Sequence, residues 1–113
     1  DFNFDQNEQG YKTITDDGTF RDSYVISDIT YALNGTFNDF SAENYSDSRL
    51  DHIFVTPGIE IEKYGVLTDT YRSDEGTDSA FTSGNAPKEL VLHKYRARTP
   101  SDHFPVVVRA VVE

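Results

Sequence analysis

Phe2 and Phe4 alternate with polar neighbours, the pattern of a strand end. Residues 6–9 are polar. Residues 11–15 predict a short helix, stopped by Asp16-Asp17-Gly18. Residues 20–29 hold Tyr24, Val25 and Ile26 and read as helix or loop. Residues 35–40 predict a short strand, and 41–48 a polar loop. Residues 50–55 are β-branched and aromatic and predict a strand ending at the turn Pro57-Gly58. Ile59, Ile61, Val66 and Leu67 predict another strand, broken near Gly65. Residues 104–112 form the strongest strand pattern. Val106-Val107-Val108 lacks alternation, which predicts burial on both faces and a central place in a layered fold.

Residues 72–99 break this rhythm. Ser73-Asp74-Glu75-Gly76-Thr77-Asp78-Ser79 is polar and acidic, and Ser83-Gly84-Asn85-Ala86-Pro87 is a second set of turn residues. Only Phe81 between them is strongly apolar, so this stretch reads as a long surface loop insertion. Lys88, Lys94, Arg96 and Arg98 follow, beside Leu90, Val91, Leu92 and Tyr95, and suit a local phosphate-binding lip.

The length of 113 residues fits one domain or a piece of a larger one. Phe (8) and Tyr (7) supply much of the core, and no Cys is present, which removes disulfides, zinc-thiolate sites and thiol nucleophiles. The compartment stays open on this count. No apolar run approaches the roughly 20 residues of a membrane span. The chain opens on Asp1 and holds no Met, so a processed chain or a fragment with sequence upstream is expected. A net charge of −10 repels polyphosphate backbones, so nucleic acid is not favoured as a partner. A bound cation would invert that sign locally.

The candidate chemistry sits at strand ends. His103 follows Asp102 at the mouth of the strongest strand, where layered α/β proteins place reacting groups. Its ring suits donation to a phosphoryl oxygen or proton transfer, given a carboxylate to fix its tautomer. Asp51 is the expected orienter, within hydrogen-bond reach and on an adjacent strand of the same sheet. The alternative is that Asp51 pairs with Arg49 at a sheet edge. Asp102 suits a hard cation, or caps a turn after Pro100-Ser101. In Asp1-Phe2-Asn3, read as extended, both polar side chains face one way, one to accept a proton and one to donate to an oxyanion. His52 and His93 receive structural readings only. Asp74, Glu75 and Asp78 do not match a calcium loop, and read as a solvated loop. Asn34-Gly35-Thr36 and Asn44-Tyr45-Ser46 match the glycosylation sequon, a pattern common by chance.

Together, Asp1-Phe2-Asn3, Gly35-Thr36-Phe37, Arg49-Leu50-Asp51-His52-Ile53-Phe54-Val55 and Ser101-Asp102-His103-Phe104-Pro105-Val106 resemble the endonuclease/exonuclease/phosphatase superfamily. These are metal-dependent phosphoesterases with the DNase I-like fold. The resemblance implies an α+β fold, a four-layer α/β/β/α sandwich of two facing mixed sheets with helices outside. This chain would supply roughly its C-terminal half. It implies that Asp1 orients or activates the attacking water and joins the metal site. Asn3 would stabilise the phosphoryl transition state, Asp51 orient the histidine, Asp102 serve the metal site, and His103 contact the scissile phosphate. The implied cofactor is Mg²⁺ or Mn²⁺. The family's N-terminal Asn and Glu ligands have no counterpart here, so the fragment alone is expected to be inactive. Its expected partners are the missing half or a second copy of itself, and a phosphoester substrate. The alternatives are a lipid or sugar-phosphate phosphatase in place of a nuclease, and a non-catalytic binding module that keeps the scaffold.

Overall fold

The computed structural model describes residues 1–31, 34–43, 46–77 and 92–112. Asn44, Tyr45, Asp78, Ser79, Phe81, the turn at 83–87, Lys88, Leu90 and Val91 lie outside them. The first element is helix α1, Gln9–Thr15, ended by Asp16 and by Gly18 at φ 75°, a conformation open to glycine. Strand β1, Arg21–Asp22, leads into the single turn α2, Ser23–Ile26, where the Asp22 carboxylate caps by accepting from the Tyr24 amide. Strand β2 is Ile29–Tyr31, β3 Phe54–Val55, β4 Ile59–Val66, β5 Tyr71–Thr77, β6 His93–Arg98 and β7 Val106–Val112.

Three sheets result among the described residues: β1-β3, β2-β4-β7 and β5-β6. The middle one is mixed, since β2 runs parallel to β4 and β7 antiparallel to it. Mixed sheet and few helices make this a partial α+β domain of the expected class. Helix α2 lies against β4.

The core sits on one side of β4 and β7. Tyr64, Val66 and Phe104 are buried, with Tyr24, Val106 and Val108 packed on them. Ile61 and Tyr64 both face inward although three positions apart, which regular pleating forbids. The register shift between Ile61 and Lys63 explains it: Glu62 is an extra residue that resets the phase. The strand therefore runs through Gly65 and is irregular at Glu62, not broken at Gly65 as expected.

Strand β7 also differs. Among the described residues it lies at an edge of its sheet, not at the centre. Val106 and Val108 meet the core, while Val107, Val111 and Val112 are exposed. The apolar run marks a strand with one covered face and one uncovered one. The structure is thin, measuring 69 × 29 × 17 Å, and 17 Å accommodates little beyond two layers at about 10 Å spacing.

Residues 50–55 give a strand only at Phe54–Val55. Their other polar backbone groups bind crossing segments: the Leu50 carbonyl accepts from Phe2, and the Ile53 carbonyl from Ser23. Residues 35–40 form no strand, only a single bridge between Phe37 and His103. Asp39 and Phe40 have φ 54° and 58°, which turns the chain. Residues 1–4 are likewise not extended, because Asn3 has φ 58°. Strands β5 and β6 fall within the stretch read as a surface excursion, paired antiparallel from Tyr71↔Arg98 to Thr77↔His93.

Candidate active site

Thr36 pins the site together. Its side chain is fully buried, and its hydroxyl accepts from the amides of Leu50 (2.9 Å) and Asp51 (3.1 Å). Its own N–H donates to Ser48 (3.0 Å), and its carbonyl accepts from Phe104 (2.6 Å). One threonine thus ties the segment bearing Asp51 to the segment bearing His103. Gly35 permits the close approach, since a Cβ there would overlap the Ser48 backbone.

Across this tie, His103 Nδ1 stands 2.7 Å from Asp51 Oδ2. An ionised carboxylate only accepts, so Nδ1 carries the proton and Nε2 faces outward. Asp1 Oδ2 lies 3.6 Å from that Nε2, close in charge but long for a direct hydrogen bond. The backbone nitrogen of Asp1 lies 3.2 Å from Asp51 Oδ1. Asp1 Oδ1 accepts from the Asn3 N–H at 2.8 Å. The Phe37 ring meets the imidazole edge to face, with centroids 5.4 Å apart. Burial pushes the Asp51 carboxyl up, but hydrogen bonds from His103, Thr36 and the Asp1 nitrogen outweigh it and hold it below the ordinary carboxylate range.

The structure therefore brings Asp1, Asp51 and His103 together, with ligand atoms all within 4.8 Å of one another. Asp51 and His103 do not sit on adjacent strands of one sheet, as expected from the sequence. Both precede their strands, β3 and β7, which belong to different sheets. Nor does Asp51 pair with Arg49. The Arg49 guanidinium instead binds Asp22 at 2.8 Å, buried beneath the site.

Asn3 contributes its backbone to Asp1, and its side chain is exposed. The two polar side chains of Asp1-Phe2-Asn3 are placed by this turn, not by a strand period. Asp102 lies beside His103, and its carbonyl accepts from the amides of Asn38 (2.8 Å) and Asp39 (3.3 Å). Its half-buried carboxylate stands outside the group of three and makes no hydrogen bond or ion pair among the described residues.

As a cation site the donors divide. Both Asp51 oxygens are engaged, one by His103 and one by the Asp1 nitrogen. Asp1 Oδ1 accepts from the Asn3 N–H, so the oxygens left are Asp1 Oδ2 and those of Asp102. Magnesium commonly takes one or two carboxylates, with water and substrate completing an octahedron.

Two structural readings stand. His52 Nε2 lies 3.0 Å from the Phe4 carbonyl, and its ring stacks on Phe4 and Phe54. His93 pairs with Asp74. Asp74 and Glu75 lie in strand β5, not in a solvated loop, and bind His93 and Arg98. The sequence alone assigns no role to Thr36 or Asn38. Threonine and asparagine beside Gly35 look like ordinary turn residues until their burial is seen.

No protein-family model matches the chain, and no curated protein matches it. Solved structures do. A mannosyl-6-phosphatase from Bacteroides thetaiotaomicron VPI-5482 is 48% identical, with TM-score 0.79 over 98% of this chain and 35% of that one. An endonuclease/exonuclease/phosphatase family protein from Bacteroides thetaiotaomicron is 47% identical, with TM-score 0.80 over 100% of this chain and 34% of that one. A further endonuclease/exonuclease/phosphatase from Bacteroides vulgatus shares the fold at 24% identity and TM-score 0.64, over 100% of this chain and 34% of that one. The chain thus spans about a third of the length of the solved proteins it matches. Among the described residues, no helix is long and apolar enough to cross a membrane.

Proposed function

We propose, from the premise that this chain is part of an endonuclease/exonuclease/phosphatase fold, that it supplies the histidine side of a phosphoester hydrolase centre. The observation that carries this is the Asp51–His103 hydrogen bond, with Asp1 facing the free ring nitrogen. Asp51 holds the proton on Nδ1 and leaves Nε2 to meet the substrate. A protonated Nε2 donates to a phosphoryl oxygen, where negative charge grows as the water oxygen bonds to phosphorus. Asp1, held by the Asn3 amide, would accept a proton from that water. The ester P–O bond breaks, the leaving oxygen takes up a proton from solvent as an alcohol, and Asp1 returns the water's proton to solvent.

The exposed Asn3 side chain suits donation to the same phosphoryl group. Asp1 and Asp102 would hold Mg²⁺ or Mn²⁺, with further ligands from the longer protein. The ion would neutralise phosphoryl charge. Hydrolysis by the 113 residues alone is not expected.

Among esters, a phosphomonoester is favoured over nucleic acid. The net charge of −10 repels a polyanion, and the relative at 48% identity is a mannosyl-6-phosphatase. The test is a hydrolysis assay of the full-length protein on sugar monophosphates and on single-stranded DNA, with Mg²⁺ and with chelator. Metal-dependent release of phosphate from the monoester supports the reading. Cleavage of DNA alone would move it to a nuclease. No cleavage of either would leave a non-catalytic module.

A further inference from the structure

A cavity of about 480 Å³ opens between the 39–43 turn and strand β6, lined by Asp39, Phe40, Glu43, Arg96 and Arg98 among others. Its volume lies within the usual range for small-ligand pockets, about 300–1,000 Å³. Its near edge is tied to the catalytic segment, because the Asn38 and Asp39 amides both donate to the Asp102 carbonyl.

The rim is built and held. Asn38 is fully buried, and its Oδ1 accepts from the Phe40 amide (2.7 Å) and the Thr99 hydroxyl (3.3 Å). Its carbonyl accepts from Ser41 at 2.9 Å. These bonds fix Asp39 and Phe40 in the left-handed region, unfavourable for a bulky side chain. The strain does not bury the ring, since Phe40 is 64% exposed. It turns an aromatic face toward open space at the cavity mouth.

The charges select the occupant. On the opposite wall, Arg98 is already engaged, its Nε by Ser73 (2.9 Å) and a terminal nitrogen by Glu75 (3.0 Å). The side chains of Arg96, Asp39 and Glu43 have no hydrogen bond or ion pair among the described residues. Asp39 and Glu43 thus bring two carboxylates to the lining, and Arg96 brings one guanidinium that also sits in the field of Glu75. That balance disfavours a second phosphate or a polyanion. An aromatic face, two strong acceptors and one forked donor suit a neutral ring with C–H faces and several hydroxyls.

We propose that this cavity is the leaving-group subsite and that it takes the sugar ring of a sugar monophosphate. The proposal rests on the hydrolase reading above. Phe40 packs against the ring, Asp39 and Glu43 accept from its hydroxyls, and Arg96 donates to one. The basic residues of β6 then serve the sugar more than a phosphate-binding lip.

The test uses the full-length protein and two monoesters sharing the phosphate but not the ring, mannose 6-phosphate and ethyl phosphate. The readout is the ratio of their kcat/KM values. Phe40→Ala and Arg96→Ala should each lower the preference for the sugar ester by about tenfold. A ratio unmoved by both variants overturns the subsite. So does an equal loss on both esters, which would place these residues at the shared phosphate. Wild-type protein inactive on both esters would fault the hydrolase reading instead. Saturation-transfer NMR then decides the cavity by itself: transfer to the ring protons of mannose 6-phosphate, lost in Phe40→Ala, supports it, and no transfer overturns it.

Discussion

His103 Nδ1 and Asp51 Oδ2 meet at 2.7 Å across 52 residues of chain. Neither side chain is at the surface of a regular strand ladder. Both are delivered by loops that Thr36 fastens together.

The first prediction follows from the Asp51 carboxyl. Its native-state value is depressed, so its contribution to stability is fully present above the unfolded value of about 3.9 and is lost as pH falls through the lower native value. Asp51→Asn removes that contribution. The stability gap between wild type and variant should be widest above about pH 5, narrow from about pH 4 downward, and close only below the depressed native value. Urea unfolding across this range measures it. A gap constant with pH would mean that the carboxylate is not held by charge-favouring bonds.

Thr36→Val keeps the shape and removes the hydroxyl. The Leu50 and Asp51 amides then lose their acceptor in a buried place. The expected cost is about 1–3 kcal/mol, with Thr36→Ser much milder. The urea midpoints of the two variants test this. Equal midpoints would show that the hydroxyl does not pin the loops.

Arg49 concerns the support beneath the site. Its guanidinium pairs with the buried Asp22 carboxylate and lies 3.9 Å from the Tyr24 ring centroid. Burial and Asp22 also push the Tyr11 hydroxyl up to about 12, so it stays protonated and donates to Asp22. Arg49→Met leaves Asp22 buried without its cation and should cost about 3–5 kcal/mol. Adding Asp22→Asn should recover part of that loss. A single variant as stable as wild type would show that the pair is dispensable.

The exposed side of the β2-β4-β7 sheet yields a fourth prediction. Tyr31, Val107 and Val111 stand open on it or at its ends, in a structure only 17 Å thick. Soluble monomers seldom leave a broad apolar face open. The isolated chain should therefore self-associate in light scattering, and mixing it with the remainder of the protein should suppress this. A monodisperse monomer at high concentration would contradict it.

Much of this was legible in the residues themselves. The helix at 11–15 and the strand at 104–112 follow from local pattern; the pattern left Asp51 between His103 and Arg49, and the family resemblance favours His103 and gives the mixed sheet. What was not legible depends on distant partners. Leu50 to Ile53 have strand-like side chains, yet Phe2, Ser23 and Thr36 take their backbone groups. The turn at Asp39 and Phe40 looked like a strand because phenylalanine rarely adopts positive φ. The phase reset at Glu62 shows only in the pairing of Ile61 with Ala110 and Lys63 with Arg109. Asp102 and Asn3 meet their neighbours through backbone atoms, and which atoms they offer is set by turns that spacing does not reveal.

The central claim is that His103, oriented by Asp51, acts on a phosphoester. The most direct test is the steady-state rate of the full-length protein on mannose 6-phosphate with Mg²⁺, wild type against His103→Ala, with circular dichroism to check folding. The account predicts a fall in kcat of about two orders of magnitude or more with the fold intact. A folded variant that keeps a near wild-type rate would contradict it.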